Sequence, residues 1–379
     1  MSLTLKNLLE KESNQICADC KEKRVIAASM RYGVFICESC SGVHRDFNED
    51  VRNLSSANNG NAWSVSAFSA FIETGNNEVV NSILEAEFPP HYQRPWANDC
   101  PSPIKDSFFK DKYFNKCFVA KSKENGLQSP FSSMQKSIIL QKKLRDSKKF
   151  LERKFEIDVK RGIIQYFISS NYTTPKETIQ LDKCNMFFIN HTHWDMSSNV
   201  AVIQFVQEES YRSIFVRTID SKPIADFFNN VRFGKYYLMS INQSGMGKEI
   251  ENISSYLTYN VLLAGYMNKT GPKPGSSWRK RWFVLIDHSI FYYDSPDDAV
   301  SKGEIFISHD NAPNIFEGVP VGWKVSMYTP FCFFYTSLDR QYTLSSDSQG
   351  AMQQWMKAIE YVSRQPYSPY NSLRKRASN

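Results

Sequence analysis

No run of apolar residues in this 379-residue sequence is long enough to span a bilayer. The opening stretch MSLTLKNLLEKES alternates Leu with Lys and Glu, and no long apolar region or small-residue cleavage site follows. A short amphipathic helix is expected there, not a signal peptide. The pattern G-x-x-x-x-G-K-[ST] does not occur, so the chain carries no nucleotide-phosphate loop of that kind. Cysteine is sparse: eight residues are too few for a disulfide scaffold at this length. Together these absences lead us to expect an intracellular soluble protein, cytoplasmic in location.

The length points to two or three domains. At 41% hydrophobic and 22% charged, the composition supplies several cores. The formal charge of +7 is unevenly spread. Residues 1–122 hold 14 Lys+Arg against 15 Asp+Glu, a net of −1, and the remainder holds 32 against 24, a net of +8. A basic surface of that kind suits nucleic acid or an anionic membrane leaflet.

The chain changes character along its length. Up to about Lys121, the cysteine-bearing text gives way to polar loops, then to helical spacing in SVSAFSAFIETG, NEVVNSILEAEF and SFFKDKYFNKCFV. From about Gln135, short strands rich in Ile, Val, Phe and Tyr take over: IILQKKL, FLERKFEIDV, GIIQYFIS, ETIQL, AVIQFVQ and SIFVRTI. The helical IADFFNNVRFGKYY closes this run. The same order then recurs as LLAGYMNK, KRWFVLID, SIFYYD, GEIFIS, WKVSMY, CFFYTS and QYTLSS, closed by GAMQQWMKAIEYV. Arg153-Lys154-Phe155 matches Arg281-Trp282-Phe283, and Tyr166 matches Tyr292. A repeat of about a hundred residues means duplicated domains, not a solenoid. The expected fold class is α+β multidomain, with domains at 1–122, 134–238 and 258–366 and a disordered tail over 367–379.

Cys17-x₂-Cys20 and Cys37-x₂-Cys40, sixteen residues apart, have the spacing of a four-thiolate zinc site. Four protein ligands leave no open position, so one structural Zn is expected, with His44 as local packing. DNA-binding fingers share nearly this spacing but continue into a strongly basic helix. Here Ser41-Gly42-Val43-His44-Arg45-Asp46-Phe47-Asn48-Glu49-Asp50 has one Arg and three acids, which argues against nucleic acid. In the second repeat, Trp278-Arg279-Lys280-Arg281-Trp282-Phe283 opens a strand. Alternation puts Arg279 and Arg281 on one face. Lys269 ends the neighbouring strand and can point with them. Three such cations suit a polyphosphate.

ADC-x₁₆-CESCSGVHR, with YGVFIC before the second pair, resembles the zinc module of GTPase-activating proteins for Arf. GYMNKTGPK and RKRWF resemble PH domains. The order zinc module, PH, PH resembles the dual-PH (centaurin-alpha) branch and covers nearly the whole chain. The resemblance implies two seven-stranded β-barrels, each capped by a C-terminal helix, with Trp355 in the second helix core and Phe227 in its place in the first. It implies that Arg45 enters the active site of a GTP-bound Arf as an arginine finger, the chain being a GTPase activator and not itself a hydrolase. It adds Tyr292 and Lys302 to Lys269, Arg279 and Arg281 as headgroup contacts. In the first repeat the matching residues are Lys142, Arg153, Tyr166 and Lys176, and Leu151 stands where Arg279 does. The implied ligand is phosphatidylinositol 3,4,5-trisphosphate or a soluble inositol polyphosphate, and the implied place is the periphery of the plasma membrane.

The sequence departs from the family at two points. Ala27 replaces a Trp in Val25-Ile26-Ala27-Ala28-Ser29, and Ala57 replaces an acid after Arg52-Asn53-Leu54. These departures motivate an alternative, a phosphoinositide-binding membrane adaptor with a degenerate activating module.

Overall fold

The structure, a computed structural model, describes residues 3–58, 71, 75–120, 131–145, 147–168, 172–189, 199–208, 210–242, 253–309, 314–323, 330–337 and 340–367. Most of SVSAFSAFIETG, most of WKVSMY, the side chain of Ala57 and nearly all of the tail lie outside them. Two compact units form. The first comprises Met1–Lys136, Thr218–Tyr236 and Gly245–Ser254, and the second Ser137–Arg217, Tyr237–Ser244 and Ser255–Asn379.

In the first unit, the leading text forms α1 (Leu3–Glu10) and α2 (Glu12–Gln15). Strands β1 (Ala27–Ser29), β2 (Val34–Ile36) and β3 (Val51–Asn53) make a small antiparallel sheet in the order β2-β1-β3. Helix α3 (Glu38–Asp46) lies between β2 and β3. Asn76 caps α4 (Asn77–Leu84) by accepting from the Glu78 and Val79 amides, the usual role of Asn before a first turn. Helix α5 (Ser102–Phe109) runs into a π-helical turn over Lys110–Phe114. Ala18, Ala27, Val34, Ile36, Val43, Phe109 and Tyr113 pack with the cysteines into one core.

The second unit contains both strand repeats. The first supplies β4 (Gln135–Lys143), β5 (Phe150–Asp158), β6 (Ile163–Ile168), β7 (Glu177–Gln180), β8 (Cys184–Phe188), β9 (Val200–Gln207) and β10 (Ser210–Arg217). It is followed by α6 (Ser221–Asn242) and the short α7 (Ser254–Leu257). The second repeat supplies β11 (Val261–Lys269), β12 (Arg279–Ile286), β13 (Ser289–Tyr293), β14 (Gly303–Phe306), β15 (Ile315–Glu317), β16 (Phe331–Thr336) and β17 (Gln341–Ser346), closed by α8 (Gln349–Ser363). Both sheets are seven-stranded, with the corresponding orders β7-β6-β5-β4-β10-β9-β8 and β14-β13-β12-β11-β17-β16-β15. The first and last strands of each repeat meet only at one end, through Lys142↔Val216 with Gln141↔Arg217, and Lys269↔Leu344 with Asn268↔Ser345. Each sheet therefore folds over at that corner. Trp355 projects from α8 into the core between Leu263, Phe283, Phe333 and Leu344.

The two repeats also share a core. Phe187, Val200, Val202, Tyr211 and Phe215 of the first pack with Ala264, Trp282, Val284, Ile286 and Phe291 of the second. The seam is bonded as well. Arg212 forms a β-bridge with Val300, Ser213 N donates to Ala299 O at 2.7 Å, and Ser301 N donates to Tyr211 O at 3.1 Å. Lys143 Nζ lies 3.1 Å from Asp297 Oδ2.

Candidate functional site

The four predicted ligands converge. One sulfur from each of Cys17, Cys20, Cys37 and Cys40 lies within 4.8 Å of the others, and the Cys20 and Cys37 sulfurs are 3.5 Å apart. Tetrahedral zinc–sulfur bonds put sulfurs roughly 3.8 Å apart, so the donor set fits that ion. Burial opposes ionisation of Cys17, but hydrogen bonds with Cys20 and Cys40 bring its pKa down to about 7. Cys37 is pushed down, and Cys20 and Cys40 up, in each case first by the hydrogen bond with Cys17. Four crowded thiols ionise together only around a cation.

Two of the four cysteines and Arg45 share one helix. Cys37 stands at the N-cap of α3 and Cys40 in its first turn. Asn48, at φ +60°, closes the helix, and its amide donates to Arg45 O at 2.8 Å. Arg45 thus occupies the last turn, exposed, with Nη1 donating to Ser41 Oγ at 3.1 Å. An ion pair of Arg45 with Glu49 is not what Glu49 makes: its carboxylate takes Arg31 at 3.2 Å and Tyr32 OH at 3.1 Å.

His44 does more than pack. Fully buried, it meets Ser29 Oγ through Nδ1 at 3.0 Å and Asp19 Oδ2 through Nε2 at 3.0 Å. Asp19, inside the first Cys pair, also accepts from Lys112 Nζ at 2.9 Å and Tyr113 OH at 2.7 Å. Burial raises its pKa, but Lys112 and then His44 overcome that and hold it below the usual carboxylate range. Lys112 pairs with Glu85 at 2.8 Å, and Arg94 grips Glu85 at 2.7 Å. The π turn is what brings Lys112 and Tyr113 round to Asp19. This network ties the cysteine loop, α3 and the helices behind them together. Ala27 is wholly buried beside the cysteines, so its small side chain is a matter of packing.

The second repeat brings all five of its predicted residues together. Lys269, Arg279, Arg281, Tyr292 and Lys302 line one cleft of about 590 Å³ with Thr270, Gly271, Ser276 and Ser277. Lys269 Nζ lies 5.5 Å from the centre of the Tyr292 ring and 5.7 Å from that of Tyr342. Burial first, then the charges of Arg340 and Arg281, lower the Lys269 pKa. Two residues escaped the sequence reading. Asp294 holds Arg281 Nη1 at 2.8 Å and Lys302 Nζ at 2.9 Å. Arg340 stacks over Tyr342 at 4.4 Å. The signal for Arg340 was its position two residues ahead of Tyr342 and four ahead of Leu344, the partner of Lys269.

The first repeat keeps part of this arrangement. Lys142 Nζ lies 5.4 Å from the Tyr166 ring centre, and Lys176 N donates to Tyr166 O at 2.8 Å, as Lys302 N does to Tyr292 O at 2.8 Å. Burial, then Arg212 and Arg153, lower the Lys142 pKa to about 8. Arg212 is the counterpart of Arg340, four residues ahead of the partner of Lys142. It is paired with Glu177, which stands opposite Tyr166 where Gly303 stands opposite Tyr292. Lys176 itself is exposed. Lys142 and Arg212 also line a space of about 30 Å³ at the seam, with Asp297 and Ala299 of the second repeat.

A four-cysteine module carrying an exposed arginine, followed by two seven-stranded sheets of one topology, is the architecture of an Arf GTPase-activating protein with PH domains. Residues 2–122 match the ArfGap family model, described as a GTPase activating protein for Arf, and residues 261–364 match that of the PH domain. The chain is 30% identical over 374 residues to the human Arf-GAP with dual PH domain-containing protein 2, covering 95% of this chain and 92% of that one. The rat protein of that name is 29% identical over 374 residues, covering 95% and 93%. Human stromal membrane-associated protein 1 is 31% identical over 140 residues, covering 37% of this chain and 30% of its own. The chain belongs to the family of Arf GTPase-activating proteins with dual PH domains. No helix among the described residues is long and apolar enough to cross a membrane.

Proposed function

We propose that this protein accelerates GTP hydrolysis by a membrane-bound Arf by inserting Arg45 into the GTPase active site. The nucleotide, its Mg²⁺ and the water-positioning residue belong to Arf. A guanidinium there stabilises charge on the transferring phosphoryl group, and such fingers are worth ~10³–10⁵ in rate. The observation that carries this reading is the exposed Arg45 on the helix that begins at Cys37, with neighbouring His44 held by Ser29 and Asp19. One structural Zn held by Cys17, Cys20, Cys37 and Cys40 would fix that helix.

Recruitment falls to the second PH domain. Lys269, Arg279, Arg281 and Lys302 offer four cations around one cleft, with Tyr292 against Lys269. That count suits a headgroup with several phosphates, of which we propose phosphatidylinositol 3,4,5-trisphosphate, at the plasma membrane. Lys142, Arg153, Tyr166 and Lys176 form a smaller site for anionic lipid.

The test is single-turnover GTP hydrolysis by a myristoylated Arf on vesicles with and without that lipid. Wild type should accelerate hydrolysis in a lipid-dependent way and Arg45→Ala should not. Equal inertness of both proteins on several Arf partners, with vesicle binding intact, would replace this reading with that of an adaptor.

A further inference from the structure

The two PH mouths are built on one frame but differ in what surrounds them. Phe155 pairs with Tyr166 as Phe283 pairs with Tyr292, so Arg153 corresponds to Arg281. On that register Leu151 takes the place of Arg279, and Ile168 takes the place of Asp294. Ile168 lies directly opposite Arg153. Leu151 lies two residues from Arg153 on the same face of β5. Where the second mouth has a cation and an acid, the first has two aliphatic side chains, and both are in solvent: Leu151 is 43% exposed and Ile168 38%. Tyr172, 49% exposed, lies four residues beyond Ile168 in sequence, with Lys154 Nζ, which pairs with Glu156 on the other face of β5, 5.2 Å from its ring centre.

We propose that the mouth of the first PH domain enters the surface of an anionic bilayer. Leu151 and Ile168 pass into the boundary between headgroups and acyl chains, while Lys142 and Arg153 meet lipid phosphates. Basic side chains beside exposed aliphatic ones are the chemistry of an interfacial lipid surface. A soluble partner of high negative charge would gain nothing from the aliphatic pair. The charge balance of this mouth fits the same assignment: Glu177 stands where the second repeat has Gly303 and pairs with Arg212, so one of the cations there is already neutralised.

The seam gives a second reason for a membrane as the occupant. Arg212, at the first mouth, is bridged to Val300, two residues from Lys302 at the second. Lys143, next to Lys142, pairs with Asp297 on the same segment. The shared core fixes the two domains as one unit. A headgroup drawn into the second cleft therefore brings the first mouth to the same lipid surface, and the second insertion adds to the first without a fresh encounter.

This inference rests on the recruitment proposed above, and its test separates the two. The full chain is partitioned onto vesicles of phosphatidylcholine with phosphatidylserine, and onto the same vesicles with a polyphosphoinositide. Calorimetry measures binding of soluble inositol 1,3,4,5-tetrakisphosphate. The double variant Leu151→Ser/Ile168→Ser should lose about tenfold in partition onto both vesicle types. It should keep its calorimetric affinity, which also shows that it is folded. Ile168→Trp should bind vesicles more tightly than wild type. Unchanged partition of the double variant would overturn the inference and leave the patch to a protein partner. Parallel losses for vesicles and the soluble phosphate would overturn it too, since the two side chains would then be supporting a pocket. Absence of any polyphosphoinositide effect in wild type would sink the recruitment reading alone, because phosphatidylserine vesicles still report the rim.

Discussion

Tyr292 and Gly303 face each other across the β13–β14 pair so closely that a Cβ on Gly303 would stand 2.2 Å from the Tyr292 hydroxyl. The phenol lies over the ground a side chain would claim, and Lys269 rests against its ring. In the first repeat the equivalent pair is Tyr166 and Glu177, and there the carboxylate takes Arg212. Where the second repeat has no side chain, the first has an acid paired with an arginine.

Gly303→Glu should therefore close the second cleft. We expect at least a tenfold loss in affinity for inositol polyphosphate, from steric exclusion and from added negative charge. Calorimetry on the full chain reads it, and a melting curve checks the fold.

Asp294→Asn should act in the opposite direction. Asp294 binds Arg281 and Lys302, and the hydrogen bond with Lys302 chiefly lowers its own pKa. A phosphate must compete with that carboxylate. The variant should bind polyphosphate a few-fold more tightly, and its affinity should fall more steeply with salt. A titration at several ionic strengths measures both.

Lys142 gives a pH signature. Its pKa in the fold is about 8, below the ordinary lysine value of 10.5, because burial and the nearby Arg212 and Arg153 oppose its charge. The unfolded chain holds the proton up to the higher value. The group therefore weakens the fold most below about pH 8 and progressively less as pH rises toward 10.5. A bound anion favours the charged form, so binding at this mouth should take up protons between those limits. Calorimetry near pH 8.5 in buffers of different ionisation enthalpy reads the uptake, and Lys142→Gln should reduce it.

The network behind the cysteines carries a stability prediction. Asp19→Ala removes the partner shared by His44, Lys112 and Tyr113 and leaves buried polar groups unmatched. Breaking such a pair costs roughly 3–5 kcal/mol. Zinc content by elemental analysis should be one per chain in wild type, and release to a chromogenic chelator should be faster in the variant. Arf activation should fall with it, although Asp19 does not reach the GTPase.

The sequence disclosed residues whose chemistry follows from local spacing. Cys-x₂-Cys pairs need only a turn each to present sulfurs together. Arg279 and Arg281 share a face because strands alternate. Beyond that reach, tertiary packing decides. Strands β8 and β15 were not read from CNMFF and IFE: the first is uniformly buried, without alternation, and the second is three residues long. Asp294 follows β13 directly, two residues after Tyr292, but only the fold shows that its carboxylate takes Arg281 and Lys302, and Arg340 is marked only by its spacing ahead of Tyr342. The π turn at Lys110–Phe114 looked like plain helix, yet it turns Lys112 and Tyr113 toward Asp19. His44 was read as packing because four cysteines already fill the metal shell, while its partners lie 15 and 25 residues away in sequence. The joining of the two repeats was not visible at all, since Trp282, Val284 and Phe291 read equally well as the interior of a single domain.

That joint core has an evolutionary corollary. The two repeats carry the mark of an old duplication, but the copies have since become mutually dependent. A shortened descendant keeping only one of them would bare a face of Phe, Val, Ile and Trp side chains to water. Lineages can thus retune each mouth separately, as Leu151 and Arg279 show, while the pair itself is inherited whole.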